Sequence, residues 1–438
     1  MVAKKRLLAG LASLAVMGIA LAGCGSSTNN SEGNGETSSN EKITLTYMHR
    51  LPDSEGMTTV DEIIKGWNDS HPNIQVKATK FNGKAAEMSK KLQTDVEAGN
   101  DPDLAQLGYA EIPEAYTNGL LQDVTQYAKQ YEKDFASGPF SLMQVNGKYY
   151  GLPQDTGPLV YFYNKTEFDK LGLKVPTTQD ELIATAKKAA ESGKQILALE
   201  PDEAANMLSG LSGAAGGWYK VEDNKWVVNT DTKGSKAVAK VYQELLDAKA
   251  LNTNPRWDPS FDASLQKGEL IGTIGAGWEA PLIMSSIGDS GKGQWQVAQL
   301  GDWFDNGGKT GPDGGSGVVV MKNSKHPKEA MEFLDWFNTQ VEGLISQGLV
   351  VAAKSDEAKT LSTWSEYFGG QDIMKEFITA NDNMGDFTYI PGYSAVGTAM
   401  NEAAAKAADG SGKVSDIFSA AQTTSIDSLK SKNLSVKE

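Results

Sequence analysis

The stretch ITLTYMHRLPDSEGMTTVDEIIKGWNDSHPNIQVKA, from Ile43 to Ala78, decides the fold. Ile43-Thr44-Leu45-Thr46-Tyr47 alternates apolar and polar and is rich in β-prone residues, which predicts a strand. Val60, Ile63, Ile64 and Trp67 then recur at i, i+3, i+4 and i+7, one face of a helix. Thr59 and Glu62 have the spacing of a capping box at its start. His71-Pro72-Asn73 stops it, and Ile74-Gln75-Val76-Lys77-Ala78 predicts a second strand. Strand, helix, strand is the β-α-β unit, and it implies a parallel pair with a helical crossover.

The pattern continues along the chain. Helical periodicity covers Lys84–Glu97, Glu111–Thr117, Gln179–Glu191 and Ser235–Lys249. Leu104–Leu107, Leu159–Tyr163, Ile196–Leu199 and Val318–Met321 are strand-like. Pro327 opens a helix with Ala330, Phe333, Leu334 and Phe337 on one face. From about Ser355 the chain is helical with loops, and no internal repeat is present. Alternating β and α over about 400 residues predicts an α/β fold of more than one domain, its sheets mostly parallel.

The N-terminus addresses the compartment. Lys4, Lys5 and Arg6 precede an apolar run of 16 residues, Leu7 to Ala22. That run is shorter than the roughly 20 residues that span a bilayer, so a signal peptide is favoured over an anchor helix. Leu21-Ala22-Gly23-Cys24 resembles a bacterial lipoprotein lipobox, which implies cleavage before Cys24 and lipidation of its thiol. Cys24 is the one cysteine, so no disulfide or thiolate ligand follows it. Stable anchoring takes more than one acyl chain, and lipoproteins of this type carry at least two. Gly25 to Asn40 is Gly, Ser, Asn, Thr and Glu, a tether with a reach on the order of 20 Å. The expected segments are 1–23 signal peptide and 24–40 tether, with the folded body from Glu41.

The formal net charge is −15, or −18 once Lys4, Lys5 and Arg6 are removed. Such an acidic body disfavours nucleic acid and anionic lipid as partners. The three histidines, His49, His71 and His326, have no metal spacing, so no metal site is expected. No cofactor motif stands either. Gly307-Gly308-Lys309-Thr310 lacks the earlier P-loop glycine, because position 303 is Trp303. Ser212, Ser290 and Ser316 miss the nucleophile-elbow spacing. Two glycosidase carboxylates can hide among 56 acidic residues, so a surface glycosidase stays open as an alternative.

Four motifs then point one way. Asp101-Pro102-Asp103-Leu104 is followed by Tyr116-Thr117-Asn118-Gly119-Leu120-Leu121-Gln122-Asp123-Val124. Asn146-Gly147-Lys148-Tyr149-Tyr150-Gly151-Leu152-Pro153 precedes Tyr161-Phe162-Tyr163-Asn164-Lys165 and the segment Gly172 to Leu182. Leu265-Gln266-Lys267-Gly268-Glu269 leads into Gly272 to Leu282, GTIGAGWEAPL. Gly314-Gly315-Ser316-Gly317-Val318 precedes Ser324 to Ala330. Together they resemble the family 1 extracellular solute-binding proteins of ABC importers, with the oligosaccharide and maltodextrin binders nearest, from Ile43 to beyond Ala421. The resemblance implies a two-lobe periplasmic-binding-protein-like fold of type II. The lobes would be 41–153 plus 314–352 and 154–313 plus 353–438, joined by crossover segments. It further implies a monomer that captures an oligosaccharide in the cleft and delivers it to ABC permease subunits. The place would be the outer face of the bacterial cytoplasmic membrane, with the chain tied there by Cys24 and no bond made or broken. A polyamine or glycerol phosphate ligand is the alternative within the class.

A pyranose offers an apolar face and a hydroxyl rim, so aromatic plates and polar side chains are the candidates. Trp278 matches the family's glycine-led tryptophan loop, although a core tryptophan fits the local pattern as well. Tyr393, in Ile390-Pro391-Gly392-Tyr393, matches a late aromatic of the maltodextrin type. Trp218 follows Gly216-Gly217 and fits the cleft or the core. Asp155 stands where the chain enters the first crossover. The maltodextrin type places its carboxylate slightly later, at a position held here by Gly157. His49, Arg50 and Asp53 follow the first strand, where ligand loops of α/β sheets lie. Gln106 and Tyr109 follow Asp103-Leu104, with Leu107 where a maltodextrin binder has tryptophan. Glu200, Asn206 and Ser316 complete the candidate ligand-binding set.

Overall fold

The computed structural model describes residues 42–53, 57–256, 258–355, 358–385 and 387–437. Cys24, the signal segment and the tether lie outside the described residues. No helix among those described is long and apolar enough to cross a membrane.

The opening β-α-β unit forms as read. Strand Ile43–His49 pairs in parallel with Ile74–Lys80, Ile43 opposite Ile74. Helix Val60–Ser70 buries Val60, Ile63, Ile64 and Trp67. Thr59 Oγ1 accepts from the Glu62 amide at 3.3 Å while Glu62 Oε2 accepts from the Thr59 amide at 2.8 Å, which completes the capping box. The parallel array extends to Leu104–Gly108.

Beyond that point the pairing reverses. Strand Ser316–Val320 runs antiparallel to Leu104–Gly108 and to Gly151–Thr156, and Val350–Val351 joins the far edge antiparallel to Gly151–Thr156. This six-stranded sheet is the frame of the first lobe. A second sheet of three strands, Gly272–Ala276, Leu159–Asn164 and Trp295–Ala298, is antiparallel throughout. The sheets are therefore mixed rather than mostly parallel. The cause is topological: a strand that returns from the second lobe enters the first sheet head-on, not through a helical crossover. Ile196–Leu199 is a second difference. It forms no named strand and holds only bridges, Gln195 to Leu270 and Ala198 to Asn252, beside a buried run.

The chain passes between the sheets at Gly157–Pro158 and back through Pro312–Asp313. These passages pair with each other: Pro158 bridges Pro312, and the Asp313 amide donates to Gly157 O at 2.7 Å. A methyl group on Gly157 would lie 1.8 Å from Asp313 O, so the two passages touch backbone to backbone. The second lobe is completed by helices Ala204–Gly213, Lys233–Asp247, Tyr393–Ala408 and Val414–Ser431, the last two an antiparallel pair.

Candidate functional site

Where the two passages meet, the C-terminal ends of the first-lobe strands bring several polar groups together. Asp155, at the end of Gly151–Thr156, accepts from the Ser316 amide at 2.8 Å and from Ser316 Oγ at 2.5 Å. Tyr109 Oη donates to the Asp155 carbonyl at 2.9 Å. Gln106 Nε2 donates to Gln154 Oε1 at 2.9 Å and to Ser316 Oγ at 3.1 Å, and Gln106 Oε1 accepts from the Arg50 amide at 2.8 Å. Gln106, Gln154, Asp155 and Ser316 share one hydrogen-bond network, which fixes this part of the wall in one arrangement. Burial pushes the Asp155 carboxyl up to about 7, although Ser316 and the charge of Arg50 pull it down. Burial likewise raises half-buried Glu111, against the pull of Arg50. Among the expected residues, Arg50, Gln106, Tyr109, Asp155 and Ser316 thus share one neighbourhood.

Trp278 joins them from the second lobe. Strand Gly272–Ala276 ends in a short turn, Gly277–Glu279, that carries it. The indole is half-buried, and its Nε1 donates to the Asp313 carbonyl at 2.9 Å. Gly314, with φ +71°, keeps the space beside the indole open: a methyl group there would lie 3.4 Å from Nε1. Gly315, with φ +84°, does the same against the Tyr109 ring, at 3.0 Å. Tyr109, Gly315, Gly314 and Trp278 therefore follow one another across the passage.

Sequence reasoning missed Asp313, Glu279, Arg256 and Tyr389. Asp313 is buried, and its Oδ1 has no hydrogen-bond partner. Burial, then the charge of Glu203, raises its carboxyl far above the usual range. Its backbone fills the space opposite Gly157, the position at which the maltodextrin type carries its carboxylate. The signal in the sequence was Pro312-Asp313-Gly314-Gly315, an acid held inside a turn-forming run. Tyr389 is buried at the same junction, and its hydroxyl is raised by burial and by the nearby charges of Tyr393, Asp313 and Glu111.

Other expected residues are placed elsewhere. Trp218 is a core residue: its ring meets Phe387, Phe418 and Tyr219 edge-on, and Nε1 donates to Ser235 Oγ at 3.2 Å. Tyr393 is buried behind Tyr389, ring centroids 5.0 Å apart, with burial chiefly and the charge of Asp313 in lesser part raising its hydroxyl. It begins the helix Tyr393–Ala408 and shares its buried stripe with Val396, Met400, Ala404 and Ala407. His49 is buried with Nδ1 accepting from the Leu51 amide at 3.2 Å, and burial lowers its pKa, which keeps the ring neutral. Asp53 Oδ1 accepts from the Val60 amide at 2.9 Å and from Gln347 Nε2 at 2.9 Å, so it holds a helix start. Glu200 is bound to buried Arg256 at 2.6 Å. Two carboxylates, Glu200 and Glu279, share that one guanidinium. They hold Arg256 charged against the effect of burial, while burial pushes Glu200 up to about 7. Asn206 lies on the helix Ala204–Gly213 with Nδ2 donating to Glu203 Oε2 at 3.4 Å.

A cavity of about 410 Å³, reached at one end by Glu111, opens between helices Ala85–Ala98 and Ile112–Thr117 on one side and Tyr393–Ala408 and Val414–Ser431 on the other. Lys432 and Glu114 pair across it at 3.2 Å. Its lining among the described residues contains no aromatic ring, so it offers no plate for a sugar face.

Two α/β lobes, paired passages between them and a polar wall beside a tryptophan define a two-lobe solute-binding protein. The family model of bacterial extracellular solute-binding proteins matches residues 52–342, and the chain belongs to that family. Among solved structures it is 70% identical to the galacto-N-biose-/lacto-N-biose I-binding protein of an ABC transporter from Bifidobacterium longum, in complex with lacto-N-biose. That match covers 90% of this chain and 99% of the other, with a TM-score of 0.88. An ABC transporter associated binding protein from B. animalis subsp. lactis Bl-04, in complex with beta-1,6-galactobiose, is 25% identical over 91% of this chain and 100% of that one, with a TM-score of 0.75. The arabinooligosaccharide-binding protein of Bacillus subtilis (strain 168) is 24% identical over 342 residues, 74% of this chain and 78% of that protein. The chain is an extracellular carbohydrate-binding component of an ABC importer.

Proposed function

We propose that this protein captures lacto-N-biose or galacto-N-biose at the junction of its lobes and closes on it. The observation that carries this reading is the 70% identity, over nearly the whole of both chains, to a protein solved with lacto-N-biose. Trp278 serves as the plate for one pyranose face. Asp155, Ser316, Gln106, Arg50, Tyr109 and Asp313 form the polar wall that meets hydroxyls, which both donate and accept. The lobes are 41–153 plus 314–352 and 154–313 plus 353–438, and they rotate about the Gly157–Pro158, Pro312–Asp313 and Val350–Ala353 passages. Closure is driven by the ligand's greater affinity for the closed arrangement. The protein works as a monomer, breaks no bond in its ligand, and hands the sugar to the permease subunits. Lipidation of Cys24 holds it at the outer face of the cytoplasmic membrane. The purified protein titrated by tryptophan fluorescence should saturate with lacto-N-biose or galacto-N-biose and respond far more weakly to maltose. A folded protein that responds to neither disaccharide would refute the ligand assignment.

A further inference from the structure

The residues behind Trp278 are as constrained as the indole itself. Arg256 is 1% exposed. Its Nη1 lies 2.6 Å from Glu200 Oε1 and 3.0 Å from Thr273 Oγ1, and its Nη2 donates to Glu279 Oε2. The other oxygen of Glu279 accepts from the Ala276 amide at 2.8 Å. Glu279 therefore ties the guanidinium to Ala276, the last strand residue before the turn that carries Trp278. Gly275 makes room for this. A methyl group there would sit 2.5 Å from Arg256 Nη2 and 3.2 Å from each Glu279 carboxylate oxygen. On the far side the indole Nε1 is held by the Asp313 carbonyl. Buried ion pairs are weak sources of stability, but an arginine fork is rigid, planar and directional.

We propose that Arg256 is a positioning residue for Trp278: by clamping Glu279 it fixes the Ala276–Glu279 turn and aims the indole at the sugar, without touching the ligand. The proposal rests on Trp278 being the stacking plate. It also gives Gly275 a reason of its own, as the space a guanidinium needs.

A double-mutant cycle tests it, read by calorimetric titration of the full chain with lacto-N-biose, with circular dichroism confirming the fold. Arg256→Met is expected to weaken binding roughly 5- to 50-fold, and Trp278→Ala by at least as much. The double variant should bind no worse than Trp278→Ala alone, because the arginine acts only through the indole. Arg256→Lys, which keeps one ionic partner, should recover part of the loss. Should Arg256→Met fail to fold, Gly275→Ala decides. Its methyl displaces the guanidinium and should weaken binding about 3- to 10-fold, with no effect in the Trp278→Ala background. Losses that add, or full affinity in the arginine and glycine variants while Trp278→Ala is weakened, overturn the positioning role and leave the plate standing. Full affinity in Trp278→Ala overturns the plate, and the positioning role with it.

Discussion

Trp218 and Trp278 are each introduced by closely spaced glycines, Gly216-Gly217 and Gly275-Ala276-Gly277, yet they have opposite fates. Trp218 is 1% exposed and boxed by three aromatic rings at 5.7 to 6.1 Å. Trp278 is half-buried, with Nε1 donating to the Asp313 carbonyl between the Gly157 and Gly314 backbones. Local glycine does not decide whether a tryptophan packs or presents itself. What decides is what the chain brings against it from far away. Against Trp218 come Phe387 and Phe418 from the helical end of the second lobe. Against Trp278 come Gly157, Asp313 and Gly314, the passages between lobes.

The largest difference should appear in stability. Trp218→Ala removes a fully buried indole and should cost about 3–5 kcal/mol in denaturant unfolding. The protein that remains folded should bind lacto-N-biose within about twofold of the parent. A large affinity loss with little loss of stability would place Trp218 at the site and erase the contrast.

The second break is pH, because the neighbourhood of Trp278 holds buried carboxyls, Asp155 and Asp313, whereas aromatic rings box Trp218. Burial raises Asp155 from 3.8 to about 7, so the folded state binds its proton more tightly than the unfolded chain. Its stabilising contribution is complete below about pH 4 and is lost as pH rises towards 7. At about 1.4 kcal/mol per unit the whole span is on the order of 4 kcal/mol. Asp155→Asn should abolish this part of the profile and become the more stable of the two proteins above pH 7. Parallel profiles for both proteins from pH 4 to 8 would contradict it. Glu200, pushed up to about 7 beside Arg256, adds a slope of the same sign that survives in that variant.

Trp278→Ala is next. It should weaken lacto-N-biose binding roughly 10- to 100-fold, about 1.4–2.7 kcal/mol, and destabilise less than Trp218→Ala. Tyr393→Phe should do least. It removes a hydroxyl that donates to Ala205 O at 3.4 Å and is hydrogen-bonded to Ser209, so the cost in unfolding free energy should be about 0.5–1.5 kcal/mol, with affinity unchanged. A marked loss of affinity would return Tyr393 to the ligand.

Much of the architecture was legible in short-range pattern. The spacing of Val60, Ile63, Ile64 and Trp67 gave the first helix and its buried face, and Thr59 with Glu62 gave its cap. Strand direction was not legible, because antiparallel entry of Ser316–Val320 depends on a chain that returns from another lobe. The site was legible in part. Gln106 and Asp155 were legible as candidates, from their places after Asp103-Leu104 and at the entry to the first crossover, and the structure joins them through Ser316. Asp313 and Arg256 were not, since each acquires its role from partners far along the chain: Gly157 for Asp313, Glu200 for Arg256. The stripe that buries Tyr393 with Val396, Met400, Ala404 and Ala407 was open to the same helical reading used for Val60.

The most direct measurement is a crystal structure of this protein with lacto-N-biose bound. The account predicts a pyranose face lying on the Trp278 indole, its hydroxyls within hydrogen-bond distance of the wall that includes Asp155 and Asp313. A sugar found instead in the cavity beside Lys90, Gln93 and Lys432, or one out of contact with Trp278, would contradict it.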